Sequence, residues 1–247
     1  MNKQTRAGEY LAKRGTSFDL ALLQETRDPR LWAPPDWVSV TWRPMWGTAG
    51  SRKVLWGSAI VAPALELEPH EPDAAFPWLA ELGGACVIAR QLDEPRWLAS
   101  VHFGSSQLPD EVLSRHPWDH IPISTPNGSV WETDVIPFEL HGLFSGDTFL
   151  WGGDLNSAEV MDDLGFVGGN RELRRRWRDA GSHDLRLRFH AEEQQTFFRP
   201  KRRPYQLDHV FADAATERRV ASWEVDRSPI STAPPRSDHA PIVVTLR

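Results

Sequence analysis

Two short acidic motifs, far apart in the chain, hold the residue types of hydrolytic chemistry: Trp151-Gly152-Gly153-Asp154-Leu155-Asn156 and Ser237-Asp238-His239-Ala240-Pro241. The first follows the apolar Thr148-Phe149-Leu150, so a buried strand running into a glycine turn sets Asp154 and Asn156, two residues apart, on the same side. The second precedes Ile242-Val243-Val244-Thr245-Leu246, which puts Asp238 and His239 at the mouth of a terminal strand. Carboxylate, carboxamide and imidazole gathered at strand ends are the groups that metal-assisted phosphoester hydrolysis requires.

Three further strand ends have the same character: Gln24-Glu25, Val101-His102-Phe103 and Leu207-Asp208-His209, each beside an apolar run. Taken singly, every one has a plain structural explanation. Glu25 reads as a surface residue, Asp154 as a turn former, His102 as a satisfied core histidine and Asp208 as a cap. Side chains at one edge of packed sheets converge although distant in sequence, and five such ends together favour a site over five coincidences.

The elements that must position them alternate along the chain, without internal repeats. An amphipathic helix is predicted over 3–14, closed by Gly15, and a buried strand over 18–23 delivers Gln24-Glu25. Further strands are predicted at 38–42, 56–62, 85–92 and 97–103, where β-branched, aromatic and small apolar residues cluster. Helices follow at 130–144, 157–164 and 171–178, then strands at 196–199, 205–211, 220–225 and 241–246. Residues 105–129, proline-containing and aperiodic, read as an exposed loop bordering the site.

At 247 residues the chain suffices for one sizeable core, and no linker divides it, so a single domain over 1–247 is expected. The composition, 40% hydrophobic and 25% charged, is that of a water-soluble globular protein. No apolar run reaches membrane-spanning length and Met1-Asn2-Lys3-Gln4 opens no secretory signal, so a cytoplasmic location is the default. The lone Cys86, inside Ala85-Cys86-Val87-Ile88-Ala89, reads as a core residue and not a nucleophile.

A net charge of −6 argues against indiscriminate coating of nucleic acid but allows a local basic groove. Arg171, Arg174, Arg175, Arg176 and Arg178 crowd one predicted helix, and Arg199, Lys201, Arg202 and Arg203 one predicted loop; solvation and phosphate binding explain these runs equally well. The chain has no Gly-x-Ser-x-Gly elbow, no Gly-x-x-x-x-Gly-Lys loop, no His-Glu-x-x-His helix and no Cys-x-x-Cys pair. Serine hydrolase, nucleotide triphosphatase and zinc-protein readings drop away accordingly.

The five strand ends, in order and spacing, resemble the endonuclease/exonuclease/phosphatase superfamily. Leu22-Leu23-Gln24-Glu25 is similar to its metal-binding glutamate segment, Gly153-Asp154-Leu155-Asn156 to its Gly-Asp-Phe-Asn segment, and Ser237-Asp238-His239-Ala240-Pro241 to its C-terminal signature. Leu207-Asp208-His209-Val210 resembles the strand that partners the final histidine, and His102 a histidine that some members place beside the scissile phosphate. The resemblance implies an α/β (α+β) four-layered sandwich of two packed mixed β-sheets flanked by helices. One departure stands out: members open with a strand ending Trp-Asn-x-Asn or Trp-Asn-x-Asp, whereas here Asn2 alone matches its last residue, and the expectation is a start placed too late.

The resemblance also implies roles. Glu25 is the main Mg²⁺ ligand, with Mn²⁺ as a substitute, and Asp238 and Asn2 contribute directly or through water. Asp154 orients or deprotonates the attacking water, Asn156 bonds water or phosphate, Asp208 holds His239 in one tautomer, and His102 donates to a phosphate oxygen. Whether Asp154 or His239 is the base stays open. For substrate, the basic loop with Arg199, Arg202 and Arg203, together with Trp118 and Trp131, leans toward nucleic acid; a phosphoinositide headgroup or small phosphoester would suit the same loop. The rival from another class is a binding module that keeps the carboxylates but does not cleave. No protein partner is evident.

Overall fold

A computed structural model describes residues 3–15, 17–49, 52–73, 75–104, 107–115, 129–164, 169–199, 203–232 and 235–247. The chain starts with helix α1 (Lys3–Arg14) and strand β1 (Ala21–Thr26), then a long hairpin of β2 (Ser39–Ala49) and β3 (Arg52–Ala62). Next come β4 (Leu67–His70), α2 (Pro77–Glu81), β5 (Cys86–Gln91), β6 (Arg96–His102), α3 (Asp110–Arg115), α4 (Glu132–Leu143) and β7 (Thr148–Asp154). The remainder holds α5 (Asn170–Asp179), β8 (His183–Asp184), β9 (Asp208–Ala212), α6 (Ala214–Arg219), β10 (Val220–Val225) and β11 (Ile242–Leu246).

Strands β4-β5-β6-β7-β9-β8 form a mixed six-stranded sheet whose one parallel pair is β6 with β7. Facing it are two antiparallel pieces, the three-stranded β1-β3-β2 and the two-stranded β10-β11. The central strands are buried on both faces, which is why β5, β6 and β7 are apolar almost throughout and do not alternate. On one face Ile88, Val101, Trp151 and Phe211 pack against Trp78 and Leu79 of α2, Ile136 and Leu140 of α4, and Leu173 and Trp177 of α5. On the other, Val87, Leu98, Leu150 and Ala212 meet Ile60 of β3, Leu22 of β1, and Trp223 and Val244 of the β10-β11 pair. Helix α1 adds the outer layer beside β1, its Gly8 tight against the Trp32 ring. The expected sandwich is present, with the smaller sheet layer divided in two.

Several local expectations change. Residues 196–199 form no strand: Phe197 makes isolated bridges to Tyr205 and His239 because it fills the space between two chain segments and not a ladder. The stretch predicted as helix over 157–164 is a 3-10 turn, Glu159–Leu164. The predicted 105–129 loop contains α3, and residues 105–106 and 116–128, Trp118 among them, lie outside the described residues. Cys86 is fully buried, and that burial pushes its thiol up to about 12, as a core residue requires. No helix among the described residues is long and apolar enough to cross a membrane.

Candidate active site

Sheet register brings the first three groups together. The β6-β7 pairing sets His102 beside Asp154, and the β7-β9 pairing sets Asp154 beside Asp208, so neighbouring strands, about 4.8 Å apart, present three polar side chains in one row. The glycines before Asp154 make that row possible. A Cβ on Gly152 would lie 2.4 Å from the His209 carbonyl, and one on Gly153, at φ +151°, would lie 1.8 Å from the Val101 carbonyl and 2.9 Å from Gln24 Nε2. Gln24 donates to Ser100 Oγ at 2.8 Å, and that hydroxyl donates to the Leu23 carbonyl at 2.9 Å, tying β1 down over β6.

Glu25 and Asn156 are the two non-glycine residues with positive φ among the described residues, at 50° and 48°. Both sit in the candidate site. Left-handed backbone at a side-chain-bearing residue costs free energy and is kept where the surroundings enforce it. At Glu25 a bulge between Leu23 and Thr26 breaks the β1-β3 register and turns the carboxylate outward. At Asn156 the chain reverses after β7: its backbone N–H donates to Asp154 Oδ1 at 2.9 Å and its carboxamide to the Phe103 carbonyl at 2.8 Å.

The last motif arrives on a different support. Phe198 N–H donates to the Asp238 carbonyl and Ala240 N–H to the Thr196 carbonyl, both at 2.7 Å, which fastens residues 238–240 to residues 196–198. His239 thereby hangs over the row, with Nδ1 2.8 Å from Asp208 Oδ2 and Nε2 3.9 Å from Asp154 Oδ2. His102 Nε2 lies 3.7 Å from Glu25 Oε1 and 3.8 Å from Asp154 Oδ2.

Charge in this cluster is unevenly compensated. Burial, reinforced by the Asp208 charge, pushes the Asp154 carboxyl up to about 7. Burial alone would lower His239, but the charge and hydrogen bond of Asp208, then Asp154 and Asp238, outweigh it and raise the imidazole to about 9. His102 is lowered by burial against the opposing pull of Glu25. At neutral pH His239 is therefore a cation and His102 a neutral ring.

Glu25, His102, Asp154, Asn156, Asp238 and His239 line one open cleft, together with Phe197, Arg199 and Leu207. Arg199 donates from Nε to Asp238 Oδ2 at 2.8 Å, its guanidinium 5.4 Å from the centre of the Phe197 ring. Of the other residues singled out in the sequence, Arg203 is exposed outside this cleft, while Asn2 and Arg202 lie outside the described residues. Three arginines of α5 pair with acidic neighbours, Arg171 with Asp163, Arg175 with Glu172 and Asp179, and Arg176 with Glu172, while Arg178 is exposed. Arg174 is buried and donates to the Ser157 carbonyl at 2.9 Å.

Three participants escape a reading by strand ends. Phe197 sits 5.0 Å from the His239 ring and Trp56 meets the His102 ring edge to face at 5.2 Å, so an aromatic side chain backs each histidine. Glu132 accepts from Gly104 N–H and anchors the turn after His102. A polar neighbour two residues from a site motif was available as a signal for Phe197, through Arg199; Trp56 and Glu132 carry none, because only tertiary packing brings them in.

The donor set suits a hard divalent cation: Glu25, Asp154 and Asp238 offer carboxylate oxygens in one cleft. One ligand atom each from Asp154, Asp208 and His239 also falls within 4.8 Å of the others, and Asp208 and His239 are already bonded to each other.

Two packed sheets between helices, with carboxylates and histidines at the strand ends, define the endonuclease/exonuclease/phosphatase fold, and the chain has that fold. An AP endonuclease from Archaeoglobus fulgidus superposes with a TM-score of 0.67 at 16% identity, over 99% of this chain and 94% of that one. A 3′-5′ exonuclease from Neisseria meningitidis gives 0.67 at 15% identity, over 99% and 96%. The endonuclease domain of TRAS1, a telomere-specific non-LTR retrotransposon, gives 0.57 at 17% identity, over 100% and 94%. Compared by sequence, the chain matches no family model and no curated protein.

Proposed function

We propose that this chain is a divalent-metal-dependent phosphodiesterase that hydrolyses nucleic acid, with residues 1–247 forming one catalytic domain. The observation that carries this reading is the row His102-Asp154-Asp208 capped by the Asp208-bound His239, opening into a cleft that also holds Glu25 and Asp238. The occurrence of AP endonucleases and a 3′-5′ exonuclease among proteins of the same fold supports nucleic acid as the substrate.

Glu25 and Asp238 would hold Mg²⁺ or Mn²⁺, with Asn2 as a further candidate, and the cation would neutralise charge on the nonbridging phosphate oxygens. Asp154, with a carboxyl near 7, is the group able to take a proton from water in the neutral range. As the water oxygen bonds to phosphorus, the P–O bond to the leaving alkoxide breaks. His239, a cation up to about pH 9, faces the developing negative charge and can give its proton to the departing oxygen. Asp208 holds that imidazolium by its Nδ1. Neutral His102 has one N–H for a nonbridging oxygen, and the carboxamide of Asn156, already donating to Phe103, keeps the Asp154 turn in shape. The base assignment thus falls to Asp154, because a histidine protonated in the resting state cannot accept the water proton. Phe197 and Leu207 would offer an apolar wall for a sugar, and Arg199 in the cleft, with the exposed Arg203 outside it, would offer charge to flanking phosphates.

Hydrolysis of supercoiled plasmid and of bis-(p-nitrophenyl) phosphate, with Mg²⁺, with Mn²⁺ and with chelator, tests the reading. Metal-dependent turnover is expected, falling at least about 10²-fold in Asp154→Asn and His239→Ala. Activity indifferent to chelator, or unchanged in both variants, overturns it. Cleavage of a phosphoinositide with the plasmid left intact would replace nucleic acid by a lipid headgroup.

A further inference from the structure

Arg199 does not stand free for phosphate. Its Nε bonds Asp238 Oδ2 at 2.8 Å, so the carboxylate assigned to the cation already carries a cation of the protein's own. The pairing is held loosely. Arg199 is 57% exposed at its side chain whereas Asp238 is 19% exposed, and the guanidinium leans on Phe197 at 5.4 Å, a face it can slide across without loss of contact. The backbone of Asp238 is tied down, its carbonyl accepting from Phe198 N–H at 2.7 Å. The more exposed and longer partner is the arginine.

We infer that Arg199 is a latch coupling cation and substrate: it competes with the divalent ion for Asp238 and is drawn off when a phosphodiester enters the cleft, so each ligand strengthens the binding of the other. The inference rests on the phosphodiesterase reading. A guanidinium prefers the two charged oxygens of a phosphate to one carboxylate oxygen, because its donors form a planar fork that matches them. Moving it from Asp238 to the substrate frees a ligand for the cation and adds a contact to the phosphate in one motion. Coupling of this kind is reciprocal by linkage. It would keep the cation site weak until the proper anion is present, disfavouring idle occupancy, and makes Arg199 a positioning residue for the metal as well as a contact for the substrate.

The test is Mn²⁺ binding to the whole chain, followed by electron paramagnetic resonance, with and without a phosphorothioate-linked dinucleotide. Without it, Arg199→Gln should bind Mn²⁺ roughly two- to fivefold more tightly than the unchanged protein, the range of a partly exposed ion pair. With it, the unchanged protein should gain more Mn²⁺ affinity than Arg199→Gln, whose gain comes from the direct contact between cation and phosphate alone. Arg199→Lys, which keeps the charge but not the fork, should match the unchanged protein without the dinucleotide and gain less Mn²⁺ affinity with it. In an Asp238→Asn background the Arg199 substitution should leave Mn²⁺ affinity unaltered, which isolates the pair. Equal Mn²⁺ affinity of the unchanged protein and Arg199→Gln, or equal gain from the dinucleotide, overturns the latch while leaving the phosphodiesterase reading intact. Failure of every form to bind Mn²⁺ overturns both. Matching thermal unfolding of Arg199→Gln and the unchanged protein establishes that the comparison is between folded proteins.

Discussion

Asp154 and His239 are both held above their ordinary ranges, the one by burial and a neighbouring carboxylate, the other by three carboxylates that outweigh burial. The proposed mechanism needs Asp154 ionised and His239 protonated. The rate should therefore rise with pH through about 7 and fall through about 9, and a bound cation should move both limbs downward by stabilising the deprotonated forms. Steady-state pH profiles at several metal concentrations check this; a profile flat from pH 6 to 10 contradicts it. Asp208→Asn should bring the upper limb down, since it removes the main group raising His239, and should cost about 10²-fold in kcat. The same groups set metal-free stability. A carboxyl raised from 3.8 to about 7 and an imidazole raised from 6.5 to about 9 both bind protons more tightly when folded. Their stabilisation is complete below the unfolded values and is lost as pH rises through the folded ones, so chelated protein should melt at progressively lower temperature between about pH 5 and pH 10.

Strands β6, β7 and β9 do the positioning, and the tightest point is Gly153. Gly153→Ala drives a methyl into the Val101 carbonyl at a positive φ, so the β6-β7 pair must part where His102 and Asp154 face one another. The expected cost is on the order of 3 kcal/mol by urea unfolding, with activity lost beyond that share. Gly181→Ala, at φ 101° but away from the row, should cost stability and spare turnover of the folded fraction. The β2-β3 hairpin teaches a different lesson. Its strands run to Ala49 and from Arg52, well past the predicted 38–42 and 56–62, because β2 is an edge strand that tolerates Pro44, and Gly57 lets the Arg43 carbonyl approach. Proline and glycine, taken as punctuation, here sit inside pairing strands.

For the molecule as a whole, the proposed cation site would link metal binding to folding, because its carboxylates come from three separate supports: the bulge of β1, the end of β7 and the segment before β11. Mg²⁺ or Mn²⁺ at a hundred times its dissociation constant should stabilise the fold by about 2.7 kcal/mol, seen as a rise in melting temperature that disappears in a Glu25→Gln, Asp238→Asn double variant. A rise that persists in that variant would move the cation elsewhere. Much of this was legible in the chain alone: apolar runs bounded by Glu25, His102, Asp154, Asp208 and His239 identify the strands and the groups at their ends, because burial demands apolar residues and leaves polar ones where a strand emerges. The fold class followed from the family resemblance that those ends carry. Register, though, is a property of two strands at once, so the row His102-Asp154-Asp208 exists only after pairing. The same holds for Phe197 behind His239, Trp56 behind His102, the burial that lifts Asp154, and the Arg199-Asp238 bond. A sequence states which groups are present; distances between them, and hence their charge states, come from packing segments that the chain keeps far apart.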